Sequence, residues 1–200
     1  PFINFLAPGL IAMQIIQQAF SHSSSSLLMG KIMGNIVDMI AAPLSPGEVT
    51  ISIIFASITR ALMIAIASII VFSFLIDIEI NNILYIIIYI FLSSFILGAS
   101  GFVAGLWAEK FDHMATVTNF FIVPLSFLSG TFYSVDKLPN FLQLISKFNP
   151  FFYMIDGFRY GFIGNSDGSI TFGLIYLSLL CIITWFVSYI LYKKGYKIKS

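Results

Sequence analysis

Acidic residues are missing where apolar sequence is longest. The 200-residue chain carries only 10% Asp, Glu, Lys and Arg, against about 25% in an ordinary soluble domain. Cysteine occurs once, at Cys181, so an internal disulfide is excluded and a thiolate metal site has too few ligands. The two histidines, His22 and His113, read as isolated polar residues on the cytoplasmic side. HExxH, GxSxG and paired-cysteine patterns are absent. Gly30-Lys31 runs into Ile32 without the upstream glycine of a phosphate loop. No catalytic, cofactor or metal site is therefore expected. With a net charge of +1, there is no basic field to displace phosphate counterions, which argues against a nucleic-acid partner.

What remains is hydrocarbon-like, with 58% apolar residues and 22 phenylalanines. A helix needs about 20 apolar residues to cross a bilayer. Five runs qualify as predicted spans: residues 5–20, 49–76, 83–108, 114–133 and 170–192. The first is short and is interrupted early by Pro8-Gly9, so it is expected to extend upstream through Phe2. The expectation is an all-α polytopic protein forming one transmembrane domain over residues 1–200. The start, Pro1–Phe5, has neither an initiator methionine nor a basic n-region, so a signal peptide is not supported. We read the chain as the later part of a longer polypeptide with one more span upstream, six in all.

Lysines set the expected orientation. Lys193, Lys194, Lys197 and Lys199 follow the last run and read as cytoplasmic. Threading backward puts Lys31 and Lys110 inside, and Lys137, Lys147 and Arg159 outside with Asp77 and Glu79.

Two connecting segments carry pattern of their own. In residues 27–48, after the serine tract Ser23–Ser26, residues Met29, Met33, Ile36 and Ile40 share one helical face. Lys31, Asn35 and Asp38 share the other, and Pro43 and Ser45-Pro46-Gly47 end the helix. Such a helix either rests in the interface or docks a soluble partner. In residues 134–169, an apolar face of Leu138, Phe141, Leu142 and Ile145 precedes the break at Asn149-Pro150. A second short apolar element follows. Two half-length helices between spans read as a re-entrant or interfacial hairpin, with Asp156 and Arg159 spaced for an ion pair.

Polar residues inside the runs are few. Gln14, Gln17 and Gln18 share one face of the first run, where interhelical hydrogen bonding and substrate contact are both open roles. Arg60 lies deep in the second run, and none of the five runs contains Asp or Glu to pair with it. It snorkels, meets lipid phosphate, or contacts glutamines and carbonyls; anchoring its helix and lining a cargo path are the two jobs it suits. The missing deep carboxylates count against a secondary carrier. Gly101 and Gly105 form a GxxxG pair for close helix contact, and Pro124 implies a kink in residues 114–133.

Several ordered motifs then carry a resemblance: Ala42-Pro43-Leu44-Ser45-Pro46-Gly47-Glu48, then Pro124-Leu125-Ser126-Phe127-Leu128-Ser129-Gly130-Thr131-Phe132-Tyr133, then Leu138-Pro139, Asn149-Pro150 and Asp156-Gly157-Phe158-Arg159-Tyr160-Gly161. The chain resembles the permease subunits of bacterial type-2 ATP-binding-cassette exporters, in the branch exporting drugs, polysaccharides or nodulation factors. The resemblance implies an inner-membrane permease with a cytoplasmic C-terminus, paired with a second permease copy in the lipid bilayer. A cytoplasmic ABC ATPase subunit would bind ATP and Mg, so this chain would hold no cofactor itself. Lys31, Asn35 and Asp38 would belong to the coupling helix. Asn149, Pro150, Asp156 and Arg159 would belong to the outer gate hairpin, and Gln14, Gln17, Gln18 and Arg60 would be the intramembrane polar groups. A secondary carrier or a non-transporting scaffold is the alternative.

Overall fold

The computed structural model describes residues 2–198; Pro1 and Lys199 of the basic tail lie outside the described residues. Four helices are long and apolar enough to cross a membrane: α1 (Phe2–Ile32), α3 (Pro46–Ser73), α4 (Ile83–Trp107) and α9 (Ile170–Lys193). Between them lie α2 (Ile36–Ala41), α5 (Phe111–Val117), α6 (Val123–Phe127), α7 (Asn140–Phe148) and α8 (Pro150–Ile163). The chain is a polytopic all-α membrane protein.

Helix starts are written in local chemistry. Ser45 accepts from Glu48 N at 3.3 Å while Glu48 Oε2 accepts from Ser45 N at 2.6 Å, a complete capping box with Pro46 in the first turn of α3. Asn82, Asn149 and Ser169 cap α4, α8 and α9 more simply, each side chain accepting one backbone N–H of the first turn. Gly34 at φ 79° separates α1 from α2.

Two readings of residues 1–48 need correction. Pro8-Gly9 does not break the first span, and the serine tract is no break before the amphipathic helix but part of α1. Helix α1 runs for 31 residues, about 46 Å at 1.5 Å per residue. It persists through the tract because Ser24 donates to Phe20 O at 2.8 Å and Ser25 donates to Ser21 O, so these hydroxyls satisfy themselves on the helix backbone. Ser23 and Ser24 are buried. The amphipathic helix is consequently shorter than expected, beginning at Ile36 and leaving Met29, Lys31 and Met33 before it.

The run 114–133 is not one uniform α-helix. Helices α5 and α6 are joined by a π-helical segment, Thr118–Ile122, and the composite ends at Phe127. Pro124 has no N–H and crowds the carbonyl four residues back; widening the preceding turn relieves that clash. The expected kink is thus absorbed as a π segment.

Helices α1 and α4 form the central seam. A Cβ on Gly101 would lie 2.5 Å from Phe20 O, and one on Gly105 would lie 2.8 Å from Ser24 O. Apolar helices in lipid have no hydrophobic force between them, so this close backbone approach holds the pair. Ser188 of α9 donates to Ala99 O at 3.1 Å, fastening α9 to α4. Helix α8, too short to span, is buried along nearly its whole length against α1, α4 and α9. Helix α7 instead exposes Phe141, Leu144 and Phe148.

Replacing Gly101 with Leu should force α1 and α4 apart and cost about 1–3 kcal/mol or more. Gly30→Ala, where nothing lies within 4 Å of the added carbon, should be neutral or stabilising. Thermal unfolding of detergent-purified protein distinguishes them; equal melting temperatures would refute the seam.

Candidate functional site

Polar chemistry falls in three places. The first is the end of the bundle bearing Ile32, Trp107 and Lys193. Lys31 donates to Ala108 O at 2.7 Å, Leu106 O at 2.8 Å and Gly105 O at 3.4 Å. Three ammonium protons meet the unpaired carbonyls at the end of α4, where the helix dipole is negative. The sequence reading put Lys31 on the coupling helix beside Asn35 and Asp38. The structure places it at the end of α1 as a cap on α4; Asp38 lies in α2 and Asn35 sits at its N-cap position. Those two are exposed, Asn35 preceding the first turn of α2 without a side-chain cap bond and Asp38 lying within it. Met33, Val37, Ile40 and Leu44 are exposed around them.

The adjoining α4–α5 turn is tied down from the C-terminus. Lys197 bonds Glu109 at 3.1 Å, an ion pair that holds the Glu109 carboxyl below its ordinary pKa. His113 is not isolated: it accepts from Glu109 N at 3.3 Å and stacks on Trp107 with centroids 5.2 Å apart.

The second place is the middle of the bundle. Gln14, Gln17, Gln18, Ser21, His22 and Ser25 fall on one face of α1, opposite the buried face that meets α3, α4 and α8. Gln14 and Ser21 are exposed and the other four half-buried. Among the described residues, the three glutamine side chains make no hydrogen bond within the chain. Arg60, exposed on α3, comes within 3.4 Å of His22 Nδ1. This corrects two readings. His22 is inside a span rather than in a loop, and Arg60 has a neighbour that spacing did not reveal, because the two meet only through α1–α3 packing.

The third place is the opposite end. Arg159 is 3% exposed. It donates to Gly130 O at 2.7 Å and packs over the Phe5 ring at 3.7 Å from its centroid. Gly9 leaves room for it: a Cβ there would sit 2.8 Å from Arg159 Nη2 and 2.5 Å from Thr131 O. Asp156 is also buried, but it accepts from Asp167 N and Gly168 N, each at 2.9 Å. The expected Asp156–Arg159 ion pair is absent among the described residues, since each side chain serves a different loop. Asp167, which the sequence did not single out, accepts from Ser134 Oγ and Val135 N at 2.8 Å. Asn149 donates to Leu125 O at 3.1 Å and Ser129 Oγ at 2.8 Å while capping α8, which starts at Pro150. Together these bonds weld α8 to α1, to the end of α6 and to the loop before α9.

The comparisons fit this arrangement. A family model described as ABC-2 type transporter matches residues 2–163. The chain is 30% identical over 188 residues to the inner membrane transport permease YadH of Escherichia coli (strain K12), covering 92% of this chain and 73% of that protein. It is 20% identical over 189 residues to nodulation protein J of Sinorhizobium fredii (strain NBRC 101917 / NGR234), covering 94% and 72%. It is 26% identical over 156 residues to nodulation protein J of Neorhizobium galegae, covering 78% and 60%. The chain belongs to the ABC-2 type transporter family, as a transmembrane permease component. That family implies partnership with an ABC ATPase subunit.

Lys31→Met should destabilise the fold by about 1–3 kcal/mol, because it leaves the α4 carbonyls unpaired. Asp38→Lys, on the exposed α2, should leave the melting temperature unchanged. The reverse order in thermal unfolding would contradict the cap assignment.

Proposed function

We propose that the chain is the membrane half of an ATP-driven exporter. Two copies face each other through α1 and the α5–α6 composite, and each is driven by a separate cytoplasmic ABC ATPase that holds ATP and Mg. The observation carrying this reading is the polar face of α1. A glutamine- and serine-lined stripe in a helix long enough to span is costly against lipid. Among the described residues the stripe is only partly covered, with Gln14 and Ser21 exposed, so a second copy and a polar path between the copies are its natural cover. The lysine-bearing end is cytoplasmic in this account. There α2 offers exposed apolar residues and Asp38 to the ATPase, as a coupling helix.

ATP-driven closure of the ATPases would push α2 and tilt α1, opening the path toward the end held by Arg159 and α8. These form the outer gate. The cargo is amphipathic, of drug-like, lipid or glycan character. This chain performs no catalysis in the scheme. The missing carboxylates in the five apolar runs oppose the secondary-carrier alternative, and the exposed α2 distinguishes a driven permease from a passive scaffold.

The test is reconstitution with the cognate ATPase. The complex should form, and ATP should drive export into proteoliposomes. Asp38→Lys should leave ATP hydrolysis largely intact while export falls severalfold. Failure of any ABC ATPase to associate, or flux driven by an ion gradient without ATP, would contradict the proposal. In a Cys181→Ser background, Gln14→Cys should react with a water-soluble maleimide, whereas Met63→Cys, on the outward surface of α3, should not. Equal protection of both would refute a polar path along α1.

A further inference from the structure

We propose that Arg60 and His22 form a subsite for an anionic group, a phosphate, sulfate or carboxylate, carried by the transported molecule. The inference rests on the exporter reading and deepens it by assigning a cargo class. Arg60 lies 14 residues into the 28-residue helix α3, about 20 Å from either end. Half of the hydrocarbon core is about 15 Å thick, so a guanidinium at mid-helix is far from the headgroups. A cation there needs a partner. None of the five apolar runs contains an acidic residue, so a second copy of the same runs brings no counter-ion either. Arg60 is exposed rather than buried within its own chain, which leaves it open to a molecule in the path.

The donor inventory sharpens the chemistry. Arginine can only donate, so the 3.4 Å contact requires His22 Nδ1 to accept. That contact fixes the neutral tautomer with its proton on Nε2. The pair therefore presents the remaining guanidinium N–H groups and one imidazole N–H, and no acceptor. A cluster of donors bearing a formal positive charge suits a ligand made of acceptor oxygens with negative charge. Gln18, one turn from His22, and Gln14, two turns away, extend the surface with amides that both donate and accept. They suit the uncharged hydroxyls or amides that flank an anionic group. The neutral glutamine part of the stripe and the cationic Arg60–His22 pair thus divide the path into two chemistries.

The experiment measures binding of dodecyl phosphate to the purified permease in the uncharged detergent dodecyl maltoside, with the ATPase absent. Failure of ATP coupling is thereby separated from failure of this subsite. Wild type should bind dodecyl phosphate, and Arg60→Gln should weaken binding by about tenfold or more. Arg60→Lys should retain most of it. His22→Leu, which removes the Nε2 donor but leaves the guanidinium, should weaken it to a lesser degree. It also serves where Arg60→Gln does not fold. Unchanged binding in Arg60→Gln, or in His22→Leu where that variant stands in for it, would overturn the proposal. A bilayer lipid is the other source of such an anion. If phosphatidylglycerol co-purifies with wild type, is lost in Arg60→Gln and displaces dodecyl phosphate, the anion belongs to the membrane and the cargo assignment is overturned. If phosphatidylglycerol does not compete, the anion belongs to the cargo.

Discussion

Apolar helices surrounded by lipid gain little by touching each other, so a membrane bundle must be held by close fit and by polar groups that find partners. In this chain both are concentrated on the α1–α4 seam. Gly101 and Gly105 let the backbones approach along Phe20 and Ser24, and Lys31 closes the seam by capping the carbonyls of α4. Once one face of α1 is committed to α4, helical geometry turns Gln14, Gln17, Gln18 and His22 the other way. The polar stripe and its meeting with Arg60 follow from that seam.

The same helix connects the two ends of the molecule. Helix α1 runs unbroken from Phe5, beneath the Arg159 guanidinium, to Ile32, where Gly34 hinges it to α2. In the proposed mechanism a push on α2 is delivered to the far end by a rigid rod rather than through a chain of loops. The far end is equally firm. Asp156, Asp167 and Asn149 each bind backbone groups of a different segment, so α8 moves with the loops it holds. A gate built in this manner opens as a block.

Much of the architecture was legible in the sequence because it is written locally. Apolar run lengths marked the four long helices, and Asn149-Pro150 marked the start of α8; Ser45-Pro46 read as a helix end, whereas with Glu48 it caps the start of α3. What escaped was tertiary. The Ser23–Ser26 tract read as flexible because hydroxyl bonding to the helix's own carbonyls has no composition signal. Lys31 looked like a surface residue because its three acceptors lie more than 70 positions away. Asp156 and Arg159 had the spacing of a pair, yet each had a closer partner in a loop. The mid-span glutamines, legible as polar, showed which face they occupy relative to Arg60 only once α1 and α3 were packed.

The account stands on the uncovered face of α1 meeting a second copy across a polar path. Pulsed dipolar spectroscopy on the reconstituted ATPase-bound complex addresses this directly, with a spin label at Gln17→Cys in the Cys181→Ser background. The account predicts a resolved coupling between the two labels, with a separation that changes when ATP is bound. Labels that show no intermolecular coupling, or a distance unmoved by ATP, would contradict it.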